Sequence, residues 1–399
     1  MCMLKRIDEK AIETINPLTR FAKKGKKEFN HEANLLTRHW GNVKAVLQGK
    51  VIPPFEIELQ TSSRCNLTCN FCIGSATQKG EGVTRLPNNI DAANILTLAS
   101  GITDYSVDTF RVERVKFSGF IGEPLVNKPA TLLGMKHFLL HGREVGLFTN
   151  GVLINDDETR DVLLNTDYVH ISLDAGSPET FRLLKQPKSK ENKFEGILEN
   201  ISDIATLKAQ RRGKINIVVG FVITPYNVHE IYSIAMRLKN IGVEVLRFKL
   251  DISLTFPLSY SQISLAKQQI ERIKKELEDD KFEVIAIHDL EDKERGKRDF
   301  SECFAHFFWG TIGSDANVYP CDHNTFPGAP GYGNAIKRPF GEIWEGRLRR
   351  VLVEGNIFPE VCPPVCSPFG ACVNPFMAFL KVLEKNEGIG KIERYLALP

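Results

Sequence analysis

Apolar positions along this chain follow two spacings. Short, β-branched runs alternate with longer stretches in which apolar residues recur every three or four positions. The first spacing suits buried strands and the second suits helices packed on one face. Strands are predicted over residues 55–61, 115–118, 144–149, 168–174, 215–223 and 243–250. Amphipathic helices are predicted between them, over 92–107, 129–141, 194–210 and 228–240. Six strand-then-helix units in succession argue for a parallel sheet, which right-handed crossovers curl into an open barrel. The expected fold class is therefore α/β, a partial (β/α)6 TIM-like barrel. In such barrels chemistry sits at the C-terminal ends of the strands.

The flanks read differently. Residues 1–50 are charged and look helical over 4–15 and 29–47, as an N-terminal extension that caps the core or docks a partner. Beyond the barrel come a helix over 264–280, a short strand over 282–287 and a charged run over 289–299. That run reads as a solvated linker. It divides a core domain, 51–290, from a small C-terminal domain, 291–399. The C-terminal part is rich in Pro, Gly, Cys and aromatics, and a segment of that kind usually needs a cross-link or a metal to hold it.

Composition changes the picture in one respect. Lys and Arg number 52 against 49 Asp and Glu, a net charge of +3, so nothing asks for nucleic acid or an anionic membrane. No run approaches the roughly 18 apolar residues of a membrane helix. The N-terminus has no apolar segment of the secretory kind. A cytoplasmic location is expected, and there clustered cysteines suggest metal ligation rather than disulfides. Eight of the nine cysteines are clustered. Cys65, Cys69 and Cys72 form one group; Cys303, Cys321, Cys362, Cys366 and Cys372 form the other.

Cys65, Cys69 and Cys72 follow the first predicted strand directly. Three thiolates on one loop can hold three irons of a cubane cluster and leave the fourth iron open to a small molecule. A structural zinc site is the plainer rival, but zinc wants a fourth ligand and usually paired Cys-x2-Cys spacing. Further short motifs end the next strands: Gly122-Glu123-Pro124 the second, Thr149-Asn150-Gly151 the third, Ser172-Leu173-Asp174 the fourth. Ser172 and Asp174 stand two apart on a strand, so they face one side and can both meet ribose hydroxyls. Taken singly, each of these motifs is an ordinary turn. In the C-terminal group, residues 307–312 and 317–319 read as a hairpin around Gly313–Ala316, which would bring Cys303 and Cys321 together.

The Cys-x3-Cys-x2-Cys spacing, with Phe71 before the last cysteine, resembles the signature of radical S-adenosylmethionine (SAM) enzymes. Gly122, Glu123 and Pro124 resemble that family's GGEP motif, with Phe120 and Ile121 in places usually held by glycine. The resemblance implies a [4Fe–4S] cluster on Cys65, Cys69 and Cys72. It implies SAM held by Phe71, Gly122, Glu123, Pro124, Asn150, Ser172 and Asp174, with Val222 and Arg247 as further contacts to adenine or substrate. Arg247 reads equally well as a structural ion pair. An electron donor such as flavodoxin or ferredoxin would serve the cluster.

The C-terminal layout resembles the auxiliary-cluster domains called SPASM and twitch, through Val318-Tyr319-Pro320-Cys321, Gly333-Asn334 and Glu342-Ile343-Trp344. The shorter twitch pattern implies a second [4Fe–4S] cluster on Cys303, Cys321, Cys362 and Cys366, leaving Cys372 spare. Cys372 is then a buried small residue, or a ligand in place of Cys362, or a hydrogen-atom donor. With Cys372 as donor, the chain resembles the radical SAM peptide epimerases of proteusin pathways. That resemblance implies a leader-bearing, ribosomally made precursor peptide whose L-residues become D-residues. Other readings of the same cysteines are a twitch-type dehydrogenase of a small-molecule alcohol, a peptide maturase forming thioether or carbon–carbon bonds, and a non-enzymatic iron–sulfur scaffold.

Overall fold

A computed structural model gives the architecture. It describes residues 38–76, 85–86, 89–189, 193–253, 255–286, 300–358, 360–362 and 366–396. In chain order the strands are β1 (Glu56–Leu59), β2 (Ser106–Val107), β3 (Phe110–Arg111), β4 (Arg114–Phe117), β5 (Glu144–Thr149) and β6 (Tyr168–Ser172). They continue with β7 (Asn216–Ile223), β8 (Val245–Leu250), β9 (Glu283–Ala286), β10 (Trp309–Ile312), β11 (Asn317–Tyr319) and β12 (Gly333–Asn334).

One sheet runs in the order β12-β11-β10-β1-β4-β5-β6-β7-β8-β9, and β2 and β3 form a separate hairpin. From β10 to β9 every neighbouring pair is parallel. The six predicted barrel strands are therefore present, in the expected order. The barrel stays open, with β9 and β12 as the two edges.

Outer faces of the strands bury Val115, Leu147, Val169, Ile171, Val219 and Leu246 against the helices. Inner faces are unusually polar. Glu56 and Glu58 on β1 lie opposite Arg114 and Lys116 on β4. Arg114 binds Glu56 at 3.4 Å and Glu144 at 2.6 Å, and Lys116 pairs with Glu58. Opposite charges set directly across a ladder satisfy one another where water is scarce. No helix among the described residues is long and apolar enough to cross a membrane.

Several helices differ from the sequence reading. Asp157–Leu164 and Pro178–Lys185 were not predicted, although Asp156 and Ser177 cap them through Thr159 N–H and Thr180 N–H. Each is about two turns, too short for its apolar period to show. The C-terminal segment is more regular than its composition suggested. It ends in a 20-residue helix, Pro368–Glu387, capped by Ser367, followed by Ile389–Leu396. Pro368 falls in the first turn, where the missing N–H costs nothing, so proline there starts a helix rather than breaking it. Residues 305–308, the last two of which were predicted as strand, form a helical turn. Asn374 Oδ1 accepts the N–H groups of Phe304 and Ala305 at 2.7 and 2.8 Å and so fixes that turn.

The expected linker and the helix over 4–15 lie outside the described residues. The C-terminal segment is built onto the barrel sheet: β10 pairs along its whole length with β1. Only Trp40–Leu47 of the N-terminal extension is described as helix. It packs on the C-terminal helix through Val43, Val46, Met377 and Leu380. Glu393, on the Ile389–Leu396 helix that follows, accepts from Trp40 Nε1 at 3.0 Å and Lys44 Nζ at 2.7 Å.

Candidate active site

A cavity of about 540 Å³ opens at the C-terminal ends of the barrel strands, a size suited to a small cofactor with part of a substrate. Cys65, Cys69 and Cys72 line it, and so do Phe71, Gly122, Glu123, Asn150, Ser172, Asp174, Val222 and Arg247. Residues from six separate chain segments thus meet at one place. Pro124 does not line the cavity; it is buried, and its carbonyl accepts from Thr131 Oγ1 at 2.7 Å.

The cysteine loop is held from the far side of the barrel. Thr68 Oγ1 donates to the Gln186 carbonyl at 2.8 Å, Asn70 N–H to the Leu184 carbonyl at 3.0 Å and Lys188 Nζ to the Cys65 carbonyl at 2.8 Å. Residues 183–188, at the end of the unpredicted Pro178–Lys185 helix, therefore act as its clamp. Phe71 is buried, with its ring edge-on to Phe256 at 6.5 Å. Burial pushes the Cys69 thiol up to about 12, with Lys185 pulling the other way, and Cys65 is raised for the same first reason. Half-buried thiols raised in this way become thiolates more readily with positive charge close by, which bound iron would provide.

Glu123 joins the second and third motifs. Its carboxylate accepts from Thr149 Oγ1 and Asn150 N–H at 2.7 Å each and from Leu125 N–H at 3.1 Å. Burial raises its pKa, and those three donors work against the rise. Gly122 brings the same loop against the cysteine loop: a Cβ there would stand 1.9 Å from the Ser62 carbonyl oxygen. Phe120, in a place usually held by glycine, packs on His323 with ring centroids 4.8 Å apart. The departure from the family motif thus fills the joint with the C-terminal segment.

Asn150 Nδ2 donates to Asn66 Oδ1 at 2.7 Å. Asp174 is buried and left-handed, with φ of 55°. Its carboxylate accepts from Lys185 Nζ at 2.5 Å and from Val222 N–H at 2.7 Å. Lys185, absent from the sequence reading, thus sits between the fourth-strand motif and the cysteines. No spacing rule would have found it. Lys249 was also missed, although its place two residues after Arg247 puts both on one face of β8.

Cys303, Cys321, Cys362 and Cys366 line a second cavity with Asn324 and Asn374. It is small, about 30 Å³, so its fit to a cluster rests on the donor set rather than on volume. Asn324 Nδ2 lies 3.3 Å from Cys321 Sγ and 3.4 Å from Cys362 Sγ. Burial pushes Cys303 up to about 11, and burial followed by the neighbouring Asp322 raises Cys321. Cys372 lies on the Pro368–Glu387 helix; its side chain is outside the described residues. Among the described residues no three His, Cys, Asp or Glu side chains converge closely enough to hold one metal ion. His323 and Ser367 line both cavities, so one wall separates them.

An open parallel barrel with three cysteines after its first strand and these motifs at its strand ends defines the radical SAM fold. Residues 59–245, just under half of the chain, match the Radical SAM superfamily. That family implies a [4Fe–4S] cluster and SAM, and the thiols and polar strand ends described above fit both. Among curated proteins, the chain is 25% identical over 180 residues to one named Probable GTP 3′,8-cyclase from Methanothermobacter thermautotrophicus, covering 45% of this chain and 52% of that one. A GTP 3′,8-cyclase of Streptomyces coelicolor is 26% identical over 162 residues, 40% of this chain and 44% of that one. The chain spans about half the length of the curated relatives it matches. Among solved structures, Streptococcus suis SuiB bound to SAM superposes with a TM-score of 0.58 at 15% identity, covering 90% of this chain and 84% of that one. anSMEcpe with bound AdoMet gives 0.55 at 16% identity, covering 86% and 98%. SuiB has also been solved bound to its precursor peptide SuiA, with a TM-score of 0.55 at 15% identity over 85% and 78%. At these identities the likeness is one of fold.

Proposed function

We propose that this protein is a radical SAM enzyme that epimerises L-residues of a ribosomally made precursor peptide. The observation that carries the radical SAM part is the meeting of Cys65, Cys69, Cys72 and the motif residues in one cavity. When bound, the cluster and SAM supply a one-electron cleavage that yields a hydrogen-abstracting 5′-deoxyadenosyl group. The chain's own residues orient and shield it. Glu123 locks the loops after β4 and β5 together, Asp174 fixes the turn after β6, and Phe71 with Phe256 closes off solvent.

The epimerase part is supported by the start of the C-terminal helix. Ser367 and Phe369 line the cavity, and Cys372 comes next along the same helix. Loss of a Cα hydrogen leaves a planar carbon, and a thiol hydrogen delivered to its opposite face gives the D-residue. The sulfur radical left on Cys372 then needs one electron, from a donor of the ferredoxin or flavodoxin class, and one proton, from solvent. Fold neighbours whose structures hold peptides favour a peptide substrate. The wall shared by the two cavities favours a second reading, a dehydrogenase that passes its electron to a second [4Fe–4S] cluster on Cys303, Cys321, Cys362 and Cys366.

Co-expression in D2O with the short peptides encoded beside this gene tests these readings by mass spectrometry and chiral amino-acid analysis. Epimerisation predicts a gain of about one mass unit and a D-residue at each modified position. Cys372→Ala is expected to keep 5′-deoxyadenosine formation and lose the D-product. A loss of about two mass units without deuterium selects oxidation or cross-linking of the peptide, and no change in any peptide selects the dehydrogenase of a small-molecule alcohol. Cys303→Ala is expected to remove about one cluster's worth of iron, near four atoms per chain, and unchanged iron would remove the second cluster from the proposal.

A further inference from the structure

Most charges in the main cavity are already neutralised. Lys116 pairs with Glu58, which also accepts from Ser118. Lys185 pairs with Asp174. Asp251 accepts from Ser253 N–H at 2.9 Å, Ser253 Oγ at 2.5 Å and Phe256 N–H at 2.9 Å. Asp322 accepts from His323 N–H at 2.9 Å.

Arg85 donates to the Ser63 carbonyl at 2.5 Å and the Ile121 carbonyl at 2.6 Å. Two further cations have no such partner among the described residues. Arg247 and Lys249 stand on one face of β8 and both line the cavity. Arg247 is 5% exposed, its Nε is buried, and that Nε meets no acceptor among the described residues. Neither side chain has a hydrogen bond or ion pair among the described residues, so the expected structural ion pair of Arg247 is not there. Gly220 lies opposite Arg247 on β7, and the His170 ring crosses over that glycine. Both His170 ring nitrogens are buried and have no hydrogen-bond partner among the described residues, and burial, then Lys249 and Arg247, hold the ring neutral. It therefore offers no compensating charge. Burial, then Arg247, pull the Lys249 ammonium down to about 7. A fold rarely keeps a buried guanidinium and a half-buried ammonium side by side and unpaired unless something brings the opposite charge.

We propose that Arg247 and Lys249 form an anion-binding floor that holds a substrate carboxylate, so that the peptide presented to this cavity carries an acidic side chain. The anion site stands on the two unpaired cations. The choice of a carboxylate over a phosphate rests on the peptide reading above. A guanidinium and an ammonium side by side suit a carboxylate's two oxygens, one fork and one point charge.

Calorimetric titration of the cluster-loaded, SAM-bound protein tests this with three probes: acetyl-Ala-Glu-Ala-amide, its Gln isostere and GTP. The Glu peptide is expected to bind about tenfold to a hundredfold more tightly than the Gln peptide, as charge-assisted hydrogen bonds allow. Arg247→Met and Lys249→Met should each reduce that preference to near one, whereas Lys249→Arg should keep it. Iron content confirms that each variant is loaded. Equal binding of the Glu and Gln peptides overturns the proposal, as does a preference that survives both Met variants. GTP binding that depends on both cations, with no peptide preference, overturns the carboxylate and points to a nucleotide. If D2O labelling shows epimerised peptides while the Glu preference is absent, the anion floor alone fails and the peptide reading stands.

Discussion

Cys65→Ala is expected to abolish SAM cleavage, with 5′-deoxyadenosine falling to background and iron dropping by about four atoms per chain. Cys65, Cys69 and Cys72 are the three thiols at the mouth of the barrel, and two of them cannot hold a cubane that must keep its fourth iron open. Cys65 also accepts the Leu67 N–H at 3.4 Å, and its side chain lies 3.8 Å from Asn150 Nδ2. Those contacts are minor beside the backbone bonds from residues 183–188, so the loop itself should survive. Near-ultraviolet circular dichroism of variant and parent, both stripped of iron, separates lost ligation from lost structure. Retained 5′-deoxyadenosine in a folded variant would remove Cys65 from the site.

How far the sequence announces this site depends on the distance over which each signal acts. The cysteine loop and the Thr149-Asn150-Gly151 turn are local, set by residues a few positions apart, and all of these meet where the strand pattern places them. β7 is legible for a similar reason: a buried parallel strand reads as one apolar run, here NIVVGFVI. Lys185 is the opposite case. Its importance comes from Asp174 and Cys69, brought to it by folding, and in the sequence it is one lysine at the end of a short helix. Asn374 is similar, a polar residue whose role is to hold Phe304 and Ala305, 70 and 69 positions away. The C-terminal helix was hidden because a segment rich in Pro, Gly, Cys and aromatics shows little regular pattern, although at a first turn proline is a starter. Joining β10 to β1 is a long-range pairing that no periodicity encodes.

Lys185→Met should destabilise the cluster-free protein by about 3–5 kcal/mol, the cost of leaving a buried charge without its partner. Each side chain of the Lys185–Asp174 pair is 4% exposed, so solvent cannot take over the lost interaction. Asp174 would keep only the Val222 N–H as a donor to its carboxylate. Burial opposes the Lys185 charge, but Asp174, then Cys69, more than offset it and hold its pKa above the usual 10.5. A lysine raised in this way contributes its full stability below its ordinary pKa, and loses it only as pH rises through the folded value. The deficit should therefore be complete at pH 7, where urea midpoints of parent and variant can be compared. Removing both charges, Asp174→Asn with Lys185→Met, should cost less than the sum of the single changes, because neither leaves the other unpaired. Asp174 also binds the strand that carries Val222, so Lys185→Met should weaken SAM binding along with stability. If the single variant is as stable as the parent, Asp174 finds its counter-charge elsewhere in the cavity, and Lys249 on the neighbouring strand is the cation within electrostatic reach of it.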